Sequence, residues 1–176
     1  MMYEEVVRDF ALRTRKNLEA IEALQRLDVG VFEVTQLINS MLGLLVFPQQ
    51  KYVESIPKTP LEKLREDGWP IPRVTGEFQE ATDLNQLIRY LRNAVAHFNI
   101  KFVGDGENNI KVLRVWNMAP MRGQDGKIAE EKNWEAELTV QELRGIATRF
   151  IDLLLGSSST HNPAATGRRD KAAPRR

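Results

Sequence analysis

Over residues 3–24 and again over 83–98, apolar side chains return every third or fourth position, which is the period of an α-helix. In the first segment Val7, Phe10, Leu18, Ile21 and Leu24 share one side with Thr14, while Arg8, Arg13, Arg15, Lys16 and Glu19 take the other. In the second, Leu84, Leu87, Ile88, Leu91, Val95 and Phe98 form the stripe. Thr82 is its expected cap, and Asp83 suits the positive end of the helix dipole. A helix over residues 31–47 is apolar on more than one side, so it belongs at the centre of a bundle or against a partner subunit. Pro48 is expected to stop it, because proline has no backbone N–H to donate. A short, polar, surface-like helix is signalled over 61–67, with Thr59 as cap, Pro60 at the first position and Gly68 as the stop. The last helix begins with a capping box of Thr139 and Glu142, buries Leu143, Ile146, Ala147, Phe150 and Leu154, and ends at Gly156.

These segments predict a mainly α fold, a bundle of four to five helices. Residues 99–138 change period. Two stretches, 100–103 and 110–117, alternate like strands around a turn-rich connection, a polar loop is expected over 120–133, and 134–138 reads as a third strand. The expectation is a small β-hairpin or meander inserted before the last helix. Residues 49–80 otherwise read as connection, punctuated by Pro57, Pro60, Pro70 and Pro72.

A length of 176 residues suits one domain, here 1–156, followed by a tail over 157–176 built of Ser, Thr, Ala, Pro and basic residues. Such a tail buries too little surface to offset its ordering entropy and is expected to be disordered. It carries five basic side chains against Asp170 alone, so a chain total of +1 leaves residues 1–156 at −3. A mildly acidic body is not a broad nucleic-acid platform, and contact with RNA has to come from a local basic patch or from the tail. The absence of cysteine excludes disulfides and thiol chemistry, and with only His97 and His161 a histidine-rich metal site is hard to build. Neither metal nor cofactor is expected. No run approaches the length of a membrane-spanning helix, and the first residues lack a basic segment followed by an apolar one, so a cytoplasmic location is expected.

Reactive side chains concentrate in one place. Arg89, Arg92, Asn93 and His97 stand near the end of the 83–98 helix. Arginine offers a permanent charge and a planar fork of donors that suits a phosphate. Histidine is a proton-transfer group, and asparagine can orient either neighbour. Together they can break a phosphodiester without metal. Each residue turns a helix by about 100° and advances it by about 1.5 Å, so Arg92 and His97 lie roughly 140° apart around the axis. Arg89, Asn93 and His97 follow a four-residue step and share a stripe. A phosphate beside His97 is then reached by a swung arginine or completed from a second subunit. A plainer reading has His97 favoured by the helix dipole and the arginines solvating an exposed face. Asn39, polar within an apolar helix, either supports the cleft from behind or fixes packing, and packing is the commoner role of such groups. Trp116 and Trp134, in the predicted strands, are read as packing residues before base-stacking ones.

The run Arg92-Asn93-Ala94-Val95-Ala96-His97 resembles the RNxxxH signature of HEPN domains (higher eukaryotes and prokaryotes nucleotide-binding), and residues 35–48 are similar to the second helix of a bacterial subgroup. The resemblance implies a HEPN-like helical bundle that works as a homodimer, with two signature helix ends in one cleft. It further implies RNA cleavage without metal, leaving a 2′,3′-cyclic phosphate and a 5′-hydroxyl. Arg92 and His97 would be the catalytic pair and Asn93 the polar helper, while Arg89, on the stripe of Asn93 and His97, is expected from its own chemistry to bind substrate. A toxin or phage-defence role, with an antitoxin protein as partner, comes from the same resemblance. Some HEPN toxins carry a tyrosine two residues after the motif histidine that a partner enzyme adenylylates. Asn99 stands there instead, so that control is not implied. Two rival readings are a non-catalytic HEPN-like module binding a nucleotide or partner protein, and a structural adaptor pairing through its second helix.

Overall fold

The computed structural model describes residues 3–27, 29–46, 56–104, 110–122 and 128–156. Five helices occur among them: α1 (Tyr3–Arg26), α2 (Glu33–Val46), α3 (Leu61–Glu66), α4 (Leu84–Ala96) and α5 (Val140–Gly156). Helix α2 buries Leu37, Ser40, Met41, Leu44 and Leu45 and packs against α1, α4 and α5. Its interior glycine has a packing reason: a Cβ on Gly43 would stand 2.5 Å from the tip of the Phe10 ring, so α1 and α2 approach closely there. Helix α4 buries Leu87, Ile88, Leu91 and Ala94 almost completely, each large apolar side chain contributing about 1.5–3 kcal/mol. The Thr139–Glu142 capping box forms as expected, with the Glu142 amide donating to Thr139 Oγ1 at 3.1 Å and the Thr139 amide to Glu142 Oε2 at 2.7 Å. Asp83, not Thr82, caps α4, its carboxylate accepting the Gln86 amide at 2.9 Å. Leu61 and Leu64 of α3 are buried, so this helix is not the surface element its composition suggested. Pro48 and the tail, 157–176, lie outside the described residues.

The expectation of a mainly α bundle with a small hairpin is overturned. A four-stranded antiparallel sheet, ordered β1-β4-β3-β2, is a principal part of the fold. Its strands are β1 (Arg73–Val74), β2 (Ile100–Gly104), β3 (Ile110–Arg122) and β4 (Ile128–Thr139). The error has two physical sources. β1 is two residues long and lies in what reads as connection. Residues 120–122 and 128–132 read as loop because a ribbon with solvent on both faces shows no apolar alternation, while 123–127 lie outside the described residues. The ribbon's backbone groups nevertheless pair, from Met118↔Lys132 out to Arg122↔Ile128. β2 pairs with β3 only up to Val115, so the outer half of β3 is an edge, where Pro120 removes no needed donor.

The two faces of the sheet differ in chemistry. Leu113, Val115, Trp134, Ala136 and Leu138 are buried, and β3 packs on α4. Trp134, 1% exposed, stacks on Tyr90 of α4 with ring centres 5.1 Å apart, which settles it as a packing residue. The outer face is a ladder of charges. Arg114 bonds Glu137 at 2.6 Å, Arg73 bonds the same carboxylate, and Lys132 bonds Glu135 and lies 5.1 Å from the Trp116 ring centre. The Lys132 bond, helped by Thr75, holds the Glu135 carboxyl below the ordinary range, and Arg114 followed by Arg73 does the same for Glu137.

Candidate active site at the end of helix α4

Helix α4 stops because the chain turns over on itself. His97 is the C-cap residue, and its amide donates to Asn93 O at 3.0 Å. Phe98 then adopts φ 54°, the left-handed region. The Phe98 amide donates back to Val95 O at 3.3 Å, and the Asn99 amide to Ala94 O at 2.8 Å. This is the Schellman arrangement, in which glycine usually occupies the left-handed position. The Asn99 carbonyl accepts the Trp116 amide at 3.1 Å, which ties the turn to β3 before β2 begins at Ile100. Phe98, expected in the buried stripe, is instead outside the helix and 66% exposed.

The sequence-derived residues fall into distinct environments. His97 and Arg89 are exposed, and neither makes a side-chain bond among the described residues. Arg92 is half-buried. Its Nε is shielded from water without an acceptor, and no carboxylate among the described residues pairs with it. Asn93 is half-buried and committed: its Nδ2 donates to Asn117 Oδ1 at 2.9 Å, and Asn117 Nδ2 donates to Asn133 Oδ1 at 2.6 Å. Three amides thus join α4, β3 and β4 in series. Helix geometry separates Arg92 and His97 by roughly 140° around the α4 axis, so a common phosphate is reached by a swung arginine or completed by a second copy. Asn39 is exposed on α2 and makes no side-chain hydrogen bond among the described residues.

Asn117 and Asn133 escape a linear motif search because they arrive from strands. A signal for Asn117 exists, since in Leu113-x-Val115-x-Asn117 the alternation places an amide at an inward position, where it needs a partner. It is 4% exposed. Replacing Asn117 with Leu leaves the Asn93 and Asn133 amides unpaired, and is expected to cost about 1–3 kcal/mol in urea unfolding. An unchanged denaturation midpoint would show that the series carries no stability.

The motif lies at an exposed helix end. A groove of about 310 Å³ lies beside the first turns of α4, with Gln86, Tyr90 and Asn133 on its wall, but none of Arg89, Arg92, Asn93 and His97 lines it. Glu77 and Glu80 also border it, which makes it a poor place for a phosphate. Among the described residues no three His, Cys, Asp or Glu side chains come together as a metal site, and no helix is long and apolar enough to cross a membrane.

One helix ends on Arg-Asn-x-x-x-His, and neither Arg92 nor His97 is ion-paired among the described residues, in keeping with the HEPN signature that the sequence resembles. A family model described as HEPN pEK499 p136 matches residues 1–161, and the chain belongs to that family. No curated protein and no solved structure matches it.

Proposed function

We propose that this protein is a metal-independent endoribonuclease that works as a homodimer. The observation that carries the reading is the state of the two basic groups at the end of α4. His97 is exposed and unbonded, and Arg92 is partly desolvated without an acidic partner among the described residues. A guanidinium in that state favours an incoming anion. The chemistry needs few parts. The ribose 2′-oxygen attacks the adjacent phosphorus, the bond from phosphorus to the 5′-oxygen breaks, and a cyclic phosphate remains. One proton leaves the 2′-hydroxyl and one reaches the departing 5′-oxygen. His97, contributed by each of two copies, serves these transfers as general base and general acid. Arg92 steadies charge on the phosphoryl oxygens, Arg89 binds the flanking backbone, and Asn93 holds the helix end in place.

The divergence of Arg92 and His97 around α4, roughly 140° by helix geometry, supports completion of the site by a second copy. The same divergence favours the rival reading, a HEPN module that binds a nucleotide or a partner protein without turnover. Cleavage separates the two. The expected result is cutting of single-stranded RNA in the presence of EDTA, giving 2′,3′-cyclic phosphate ends, with no cutting of the same sequence as DNA, which lacks the nucleophile. RNA binding without turnover would leave the module and remove the enzyme. A toxin or phage-defence setting in the cytoplasm, with an antitoxin protein that covers the cleft, is the role that fits such an activity.

A further inference from the structure

We propose that Phe98 and Phe102 form a stacking platform for one unpaired nucleobase of the RNA strand, beside His97. The proposal rests on the ribonuclease reading and adds a substrate subsite to it. Phe98 is the one non-glycine residue with positive φ among the described residues, at 54°. That region is unfavourable for any L-residue and is unusual for a bulky one. A glycine would make the same turn at no such cost, and Asn99, a residue type that tolerates the conformation, is the next along. What phenylalanine adds is its ring. The ring does not repay the strain by burial, since it is 66% exposed. It is propped by Phe102 of β2, 38% exposed, with ring centres 6.4 Å apart at 68°, an edge-to-face contact. The result is a propped aromatic face on the turn that carries the imidazole.

The surrounding charge fits a strand of phosphates. Residues 84–104 contain Arg89, Arg92, His97 and Lys101 and neither Asp nor Glu, in a body that is otherwise acidic. Aromatic faces interleaved with cations are how single-stranded nucleic acids are held without base-specific contacts. The other conceivable occupant is a second copy. The two rings expose roughly 200 Å², a small part of the about 800 Å² that each partner of a stable interface contributes, and the like charges of Arg89, Arg92 and Lys101 oppose seating the same segment of a second copy on them. A single base, flat and of similar extent, matches the platform.

The test uses the whole chain and a 2′-O-methyl oligonucleotide, which cannot be cut, carrying 2-aminopurine at successive positions. The wild type is expected to quench the fluorophore at one position. Phe98→Leu is expected to abolish that quench and to weaken binding roughly 5- to 100-fold, while Phe98→Trp retains both. On unmodified RNA the loss in Phe98→Leu should fall on KM more than on kcat. Phe98→Gly, which makes the turn without strain, is expected to melt higher than the wild type and to bind as poorly as Phe98→Leu. Cleavage with unaltered KM and no position-specific quench in the wild type overturns the platform and leaves the nuclease. Quenching without cleavage of unmodified RNA does the reverse. Dissociation of a dimer by Phe98→Leu, seen by sedimentation, assigns the rings to a second copy and overturns the proposal.

Discussion

His97→Ala is expected to lower kcat for RNA cleavage by about 10²–10⁴-fold, the range contributed by a positioned general acid or base. The fold should not register the change. The imidazole is exposed and makes no side-chain bond among the described residues, and the helix end is closed by main-chain bonds from residues 97, 98 and 99 that alanine also makes. Surface substitutions of this kind stay within about ±0.5 kcal/mol. Activity and stability therefore separate cleanly at this position. Turnover in EDTA and the melting temperature, measured on the same preparation, check both halves. Undiminished cleavage by a folded His97→Ala protein would sink the proposed chemistry.

Arg92→Ala should lose about 10²–10³-fold in kcat, the usual cost of removing a group that meets charge developing in the transition state. Arg92→Lys should recover little of it, because an ammonium lacks the planar fork that engages two phosphoryl oxygens. The stability prediction runs against intuition for a half-buried residue. An Nε held from water without an acceptor costs about 1–3 kcal/mol in the folded state, so its removal offsets the packing lost with the aliphatic stem. The melting temperature of Arg92→Ala should stay within a few degrees of the wild type. A fall in stability large enough to explain the lost activity would make Arg92 a structural residue.

How far such residues can be foreseen depends on what fixes them. α4 and α5 are legible because their burial is one-sided and repeats at helical spacing, and the signature is legible because it is contiguous. The outer halves of β3 and β4 are not, since both faces meet water and only backbone pairing, which leaves no trace in side-chain pattern, holds them together. The cap of α4 falls on Asp83 and not on its neighbour Thr82, because two adjacent residues of good capping type leave the sequence indifferent between them. Phe98 continues the apolar stripe Leu84–Leu91–Val95 by spacing, yet the helix has already ended. Spacing cannot see a left-handed turn that no glycine announces. Asn117 and Asn133 reach Asn93 from 24 residues away and a further 16 beyond, through a sheet larger than the sequence suggested.

The chain of amides from Asn93 has a practical consequence for anyone dissecting this motif. An alanine scan treats the three signature positions alike, but among the described residues Asn93 is wired into the framework and the other two are not. An inert Asn93→Ala protein would carry two explanations at once, a missing functional group and a slackened joint between helix and sheet. Genetic screens that score only loss of function will rank Asn93, Asn117 and Asn133 together, whether or not the first ever meets a substrate.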